Sequence, residues 1–106
     1  MGGASCDPDR ALSGIDPARP SVVLAHQPKE LEGAALRRAD LVLCGHTHAG
    51  QIFPFRAAVR IVFRYVAGRH RLGPDTDLLV CTGTGFWGPP LRVGSDSQIV
   101  VVDFAA

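Results

Sequence analysis

The sequence of 106 residues predicts an α/β fold in which a β-α-β unit is followed by mostly antiparallel strands. Two apolar runs, at residues 21–25 and 41–44, are continuous rather than alternating, which is typical of strands covered on both faces in a parallel sheet. An amphipathic segment separates these runs, and β-forming segments joined by turn residues follow them. At this length the chain is one domain or part of one.

Composition narrows the class of protein. An apolar share of 46% with 20% charged residues is typical of a globular chain that buries a core. The net charge of +1 gives no extended basic field, so the overall charge does not call for nucleic acid or an acidic membrane surface as a partner. Cys6, Cys44 and Cys81 are odd in number and widely spaced, which favours free thiols in a reducing compartment. No apolar run approaches the roughly 18–20 residues that cross a bilayer, so we expect this chain to be soluble.

The first half of the chain contains the predicted β-α-β unit. Residues 1–20 are rich in Gly, Ser, Asp and Pro and predict a flexible lead-in that adds little core, so that the domain covers residues 21–104. Between the strands, residues 28–39 begin with a proline and repeat an apolar residue every four positions, which predicts a helix. A right-handed crossover of this kind makes the two strands parallel.

The second half predicts antiparallel strands. Residues 65–72 and 78–81 form a predicted hairpin, because residues 73–77 supply turn chemistry. Residues 57–63 fit either a short helix or the approach to a strand. The Gly- and Pro-rich residues 83–90 predict irregular structure, and the β-branched residues 98–104 predict a final strand.

Three of the four histidines follow the predicted parallel strands. His26 ends the first apolar run, and His46 and His48 follow the second after Gly45. Neighbouring parallel strands lie about 4.8 Å apart and end at the same edge of the sheet, so we expect His26 and His46 side by side. On an extended backbone His46 and His48 would also point to the same side. Neutral imidazoles are preferred ligands of zinc and also bind manganese or iron, so the three histidines predict a metal site.

The histidine segments resemble a known family. Val22-Val23-Leu24-Ala25-His26-Gln27-Pro28 and Asp40-Leu41-Val42-Leu43-Cys44-Gly45-His46-Thr47-His48-Ala49-Gly50-Gln51-Ile52 are similar to the C-terminal half of calcineurin-like metallophosphoesterases. The most similar branch is membrane-associated, and its histidine motif continues into Ala-Gly-Gln. The resemblance extends over about residues 20–104.

The resemblance implies both an architecture and a chemistry. The fold would be a partial αββα sandwich, and the complete enzyme would hydrolyse a phosphomonoester or phosphodiester with two divalent ions, drawn from Mn, Zn or Fe. His26 and His46 would bind one ion, and His48 would bind the other. Membrane association of the parent protein would come from segments outside this sequence.

This sequence departs from the family pattern upstream of His26. The family has an Asp-x-His element, a bridging aspartate in Gly-Asp-x-x-Asp, and an Asn-His pair, and none of them occurs here. Bridging oxygens hold the two ions about 3.5–4 Å apart, so we expect partial metal occupancy and no turnover by this chain alone. The alternative is a non-catalytic binding or scaffold module on the same fold. The sequence leaves open whether the chain is a fragment or a natural short product.

Several other residues have two interpretations. Thr47 and Gln51 would either bind the phosphate and orient ligands or organise the loop. Trp87 and Phe86 would form a pocket wall or a lid over the core. We expect Cys44 to end a buried strand, His70 to be a solvated strand residue, and Asp40 to belong to the helix-to-strand connection.

Overall fold

A computed structural model describes residues 7–27, 38–52, 54–86 and 88–105, without the side chain of Arg56. Its regular elements are α1 (Pro8–Ala11), β1 (Val22–Ala25), β2 (Leu41–Cys44), a 3-10 turn (His48–Gly50), α2 (Phe55–Val62), β3 (Gly68–Arg71) and β4 (Asp77–Val80).

The four strands form one mixed sheet in the order β1-β2-β4-β3. β1, β2 and β4 are parallel, and Ala25 pairs with Cys44, which pairs with Val80. β3 runs antiparallel to β4. The α/β class, the parallel strand pair and the hairpin are therefore confirmed. The helix predicted over residues 28–39 lies mostly outside the described residues.

The core lies on one face of the central strands. Val42, Leu78 and Val80 are fully buried, and Ala39 and Cys44 are buried beside them. The buried residues of β2 and β4 alternate along each strand, because successive side chains point to opposite faces. In the parallel register the buried residues of β2 pair with the buried residues of β4, so together they form one continuous apolar layer.

The prediction that the first strand is covered on both faces is wrong. In β1, Val22 is 46% exposed and Leu24 is 79% exposed, whereas Val23 and Ala25 pack against the core. β1 lies at the edge of the described sheet, and no described element covers the face that carries Val22 and Leu24. An apolar strand does not by itself bury both faces; a second layer must cover it.

The lead-in has one structured segment. α1 begins with Pro8 and is capped by Asp7, whose carboxylate accepts a hydrogen bond from the Arg10 amide at 3.0 Å. Leu12, directly after α1, is only 8% exposed and joins the core. The expected minor contribution of residues 1–20 to the core therefore has an exception at Leu12.

Downstream, the structure decides what the sequence left open. Residues 55–62 form helix α2 rather than a strand approach, and the described residues of 83–90 are irregular as predicted. None of the described helices has the length and apolar character needed to span a membrane.

The final strand predicted over residues 98–104 is wrong. Ile99 and Val101 are 81% and 79% exposed, and the segment adopts no strand. β-branched residues favour a strand mainly through contacts with a paired neighbour. In the part of the chain that the structure describes, no strand pairs with this segment, so its propensity is not realised.

Charged side chains join the two strands of the hairpin. The Arg69 guanidinium donates a hydrogen bond to Asp77 at 2.6 Å, and the Arg71 Nε lies 3.5 Å from the other carboxylate oxygen. The hydrogen bond from Arg69, with attraction to both arginines, holds the pKa of Asp77 below its usual value although partial desolvation opposes it.

Replacing Asp77 should therefore have a pH-dependent effect on stability. Because the pKa of Asp77 is lower in the folded state, its stabilisation is present above the unfolded pKa and is lost as pH falls through the folded pKa. We expect Asp77→Asn to lower the free energy of unfolding near neutral pH and to converge with the wild type in acid, measured by urea unfolding. Asp75→Asn, in the same turn, is the matched control. A difference that stays constant across pH would contradict the ion-pair explanation.

Candidate metal centre

His26 and His46 lie against each other at the carboxyl edge of the sheet. Their ring centroids are 4.4 Å apart with the planes tilted by 53°. The Gly45 amide donates to the His26 carbonyl at 3.4 Å, which continues the β1–β2 ladder one residue past the strands. The predicted juxtaposition of these two histidines is confirmed. Both rings are exposed, so an incoming ion or ligand can reach them.

The backbone after Gly45 is a tight turn and not an extended strand. His46, His48, Ala49 and Gln51 all have positive φ, at 68°, 46°, 52° and 42°. Each such non-glycine residue costs on the order of 1–3 kcal/mol, and clusters of them are typical of functional sites. The premise that an extended backbone directs His46 and His48 to one side is therefore wrong. They nevertheless line a common cavity.

Thr47 holds this turn from inside. It is buried, and its hydroxyl donates to the Val66 carbonyl at 2.6 Å while accepting from the Ala49 amide at 3.3 Å. The single hydroxyl hydrogen is thus already donated to the backbone before β3.

Gln51 holds the other end of the turn. Its side-chain amide donates to the carbonyls of Pro89 at 3.0 Å and Leu91 at 2.8 Å. Its own carbonyl accepts from the Val93 amide at 2.7 Å and from the Ser95 hydroxyl at 3.2 Å. These bonds, like those of Thr47, favour the loop-organising interpretation. A substrate-binding role for Thr47 and Gln51 stays a prediction.

Arg92 is a functional-site residue that the sequence reasoning missed. Its guanidinium lies 3.3 Å from Nδ1 of His48 and donates to the carbonyls of Thr82, Gly83, Gly85 and Asp96. The available signal was that Arg92 is the one basic residue after Arg71. A single arginine beside a Gly- and Pro-rich segment is well placed to donate hydrogen bonds to several backbone carbonyls.

The surroundings of His48 keep its ring neutral. Burial lowers the pKa of His48 below its usual value, and the positive charge of Arg92 and the neighbouring His46 lower it further. Because an arginine only donates, this contact favours the tautomer in which Nδ1 of His48 accepts and Nε2 carries the ring proton.

A cavity of about 520 Å³ opens beside the turn. His46 and His48 line it together with one face of α2, which packs against the 3-10 turn. Phe63, just after α2, presents its edge to the His46 ring at a centroid distance of 6.5 Å. The imidazoles therefore border an apolar space.

The donor set fits a metal site only in part. His26 and His46 supply two adjacent imidazoles, but within the described ranges no group of three or more His, Cys, Asp or Glu side chains is placed to hold an ion. Asp40 lies at the opposite end of β2, where its carboxylate accepts from the Ser21 amide at 2.7 Å. These residues alone do not complete a metal centre.

The remaining candidates lie elsewhere or have other partners. Cys44 is buried in the core, as expected for the end of a buried strand. His70 is half-buried, with Nε2 2.9 Å from the Ala67 carbonyl and its ring 5.0 Å from the Tyr65 ring. The prediction that His70 is a solvated strand residue is therefore wrong. Phe86 is 57% exposed, and Trp87 lies outside the described residues.

Curated proteins similar to this chain are metallophosphoesterases by name. A Campylobacter jejuni protein named as an uncharacterized metallophosphoesterase is 46% identical over 98 residues, and a Helicobacter pylori protein of the same description is 44% identical over 94 residues. A Bos taurus protein named as a transmembrane protein with metallophosphoesterase domain is 40% identical over 99 residues. These matches cover 88–92% of this chain. The family resemblance is confirmed.

The chain spans about a quarter of the length of these relatives: 25% of the Helicobacter protein, 26% of the Campylobacter protein and 22% of the bovine protein. No family model matches the chain. No solved structure matches it either.

The contact with Arg92 predicts a defined tautomer of His48. We expect nitrogen-15 NMR of the ring to show Nε2 protonated and Nδ1 unprotonated near neutral pH. Arg92→Gln removes a positive charge, so the pKa of His48 should rise towards its usual value while the effect of burial remains. Arg60→Gln, an exposed arginine on α2, is the control. A proton on Nδ1 in the wild type would contradict the assignment.

Proposed function

We propose that this chain, which belongs to the metallophosphoesterase family over the 88–92% of its length that aligns, supplies the histidine-bearing part of a two-metal phosphoesterase site. The observation that carries the proposal is the 4.4 Å contact between the rings of His26 and His46. Two imidazoles at the carboxyl edge of parallel strands suit a divalent cation, and this is where α/β proteins bind ligands.

In the proposed site, His26 and His46 hold one ion and His48 holds a second. When bound, a metal pair polarises the phosphoryl group and generates a hydroxide for in-line attack on a phosphomonoester or phosphodiester. His48 is neutral near physiological pH, as a metal ligand must be. The Arg92 guanidinium lies 3.3 Å from Nδ1 of His48, so an ion bound at Nδ1 would displace this contact.

The proposal includes inactivity of this chain alone. A two-metal site needs bridging oxygens, and the sequence contains neither an Asp-x-His nor a Gly-Asp-x-x-Asp element. The relatives are about four times as long as the aligned segment, so their remaining residues are available to supply such ligands. The complete site is then divided between this segment and the rest of the parent domain.

The same division suits an αββα sandwich. The described sheet leaves Leu24 of β1 79% exposed, and the segment that carries Ile99 and Val101 is unpaired among the described residues. A second layer from the parent protein would cover the sheet face and pair with that segment. One relative is named as a transmembrane protein, and we extend membrane association to the parent of this chain.

A second candidate is a non-catalytic binding or scaffold module. It is favoured by the engagement of His48 with Arg92 and by the lack of a three-donor group among the described residues. A module of this kind would use the sheet for protein contacts and hold at most one weakly bound ion. Metal affinity separates the two candidates.

The first test measures metal binding by titration calorimetry with Zn²⁺. We expect His26→Ala and His46→Ala each to weaken zinc binding at least about tenfold, which corresponds to about 1.4 kcal/mol, because each removes one of the two adjacent imidazoles. His70→Ala is the matched control, because His70 contacts Ala67 and Tyr65 instead. A wild-type chain that binds no zinc would favour the scaffold candidate.

The second test measures hydrolysis of bis-p-nitrophenyl phosphate by the purified chain with added Mn²⁺. We expect no turnover above that of the buffer, because the bridging oxygen ligands are missing. Turnover by the wild type that is lost in His48→Ala would contradict the proposed inactivity and would place a working catalytic site within these 106 residues.

A further inference from the structure

We infer that the cavity beside the histidine turn binds the apolar chain of an amphiphilic phosphoester, with the phosphoryl group at the imidazoles. The inference rests on the proposed phosphoesterase function and names the substrate class of that site: a phosphate ester of an alkyl or acyl-bearing alcohol. The cavity volume of about 520 Å³ lies within the range of small-molecule pockets, roughly 300–1,000 Å³.

One stripe of α2 builds the apolar wall. Phe55, Ala58, Val59 and Val62 recur at the three- and four-residue spacing of a helix face, and all four line the cavity. Ile52, Phe63 and Pro89 continue this lining. Ile61 belongs to the same helix but does not line the cavity, and it is 87% exposed.

The apolar stripe is not covered by the rest of the chain that the structure describes. Phe55 and Val62 are 65% and 63% exposed although they face the cavity. These apolar side chains are therefore available to contact a ligand. Covering them with methylene groups is favourable by about 25 cal/mol per Å² of apolar surface removed from water.

The polar residues of the wall argue against a sugar or a nucleobase. Thr47 and Gln51 line the cavity, yet the Thr47 hydroxyl donates to the Val66 carbonyl and the Gln51 amide donates to the carbonyls of Pro89 and Leu91. A sugar or nucleobase that accepted hydrogen bonds from these two donors would displace their present acceptors, at a cost of about 1–3 kcal/mol for each buried group left unpaired. An alkyl chain needs no such exchange.

The position of the histidines fixes the orientation of the ligand. His46 and His48 line the cavity together with the apolar stripe, and His26 contacts His46. A phosphoryl group held at these rings therefore lies beside the apolar wall. The ester substituent then extends along the stripe of α2.

A chain-length series tests the inference. Butyl, hexyl and octyl phosphate, each below its micelle concentration, are titrated into the full chain without metal, and inorganic phosphate is the reference. Affinity should rise with length, by up to about fourfold for each methylene that is fully buried. Val59→Glu should flatten this dependence, whereas Ile61→Glu, the same change two residues away on α2, should preserve it. Ala58→Phe, which fills the cavity without adding a charge, should also flatten it.

Several results would overturn the inference. Affinity that does not depend on chain length excludes an alkyl site. Equal loss in Val59→Glu and Ile61→Glu assigns the binding to the outer surface of α2. If the wild type is a dimer that Val59→Glu dissociates, and only the monomer binds octyl phosphate, a second copy of the chain occupies the cavity instead.

The proposed function is tested separately. His26→Ala should lose zinc affinity and keep the chain-length dependence, because His26 does not line the cavity. A chain-length dependence in a protein that binds no zinc would support the apolar site and contradict the metal site. Zinc binding with no chain-length dependence would support the metal site and contradict the apolar site.

Discussion

The parallel register of β1 and β2 is the constraint on which the site depends. Pairing of Ala25 with Cys44 places the residues that follow each strand at one edge of the sheet, where the rings of His26 and His46 touch. That register is maintained by burial of Val42 and Cys44 against β4. A shift of one residue would turn these side chains to the other face of the sheet and expose them, so the apolar core and the position of the histidines are specified together.

The turn after Gly45 is stabilised by side-chain contacts within the turn and from other segments. Four non-glycine residues with positive φ cost several kcal/mol together, at about 1–3 kcal/mol each. Bonds from Thr47 and Gln51 to backbone carbonyls of distant segments offset this cost. Arg92, which is held by the carbonyls of Thr82 and Gly83, contacts His48 from outside the turn. Each of these side chains joins the histidine turn to the irregular segments before β3 and after β4. The turn keeps His48 in place through its neighbours, because the local backbone alone would not favour that conformation.

In the described residues, both the metal site and the apolar packing are incomplete. His26 and His46 have too few further ligand side chains near them to complete a metal centre. Apolar residues of β1, α2 and the segment after residue 98 are exposed to solvent. The chain spans about a quarter of the length of its relatives. In the function that we propose, additional layers of a longer protein would supply oxygen ligands and would cover the open sheet face. The cavity beside α2 differs from that face because His46 and His48 line it, which is why we assign it to a substrate.

Local sequence pattern was enough to predict the four strands of the sheet and the family resemblance, but it also predicted a strand over residues 98–104 that does not form. The continuous apolar runs gave β1, β2 and β4, the turn residues gave the hairpin, and the strand-ending histidines gave the adjacency of His26 and His46, because each depends on local pattern and on the rule for parallel connections. Tertiary structure alone decided that β1 has an exposed face, that residues 98–104 form no strand, and that Arg92 contacts His48. These outcomes depend on which surfaces meet across long sequence separations. The secondary-structure propensity of a residue and the spacing of a motif do not say which distant surfaces will pack together.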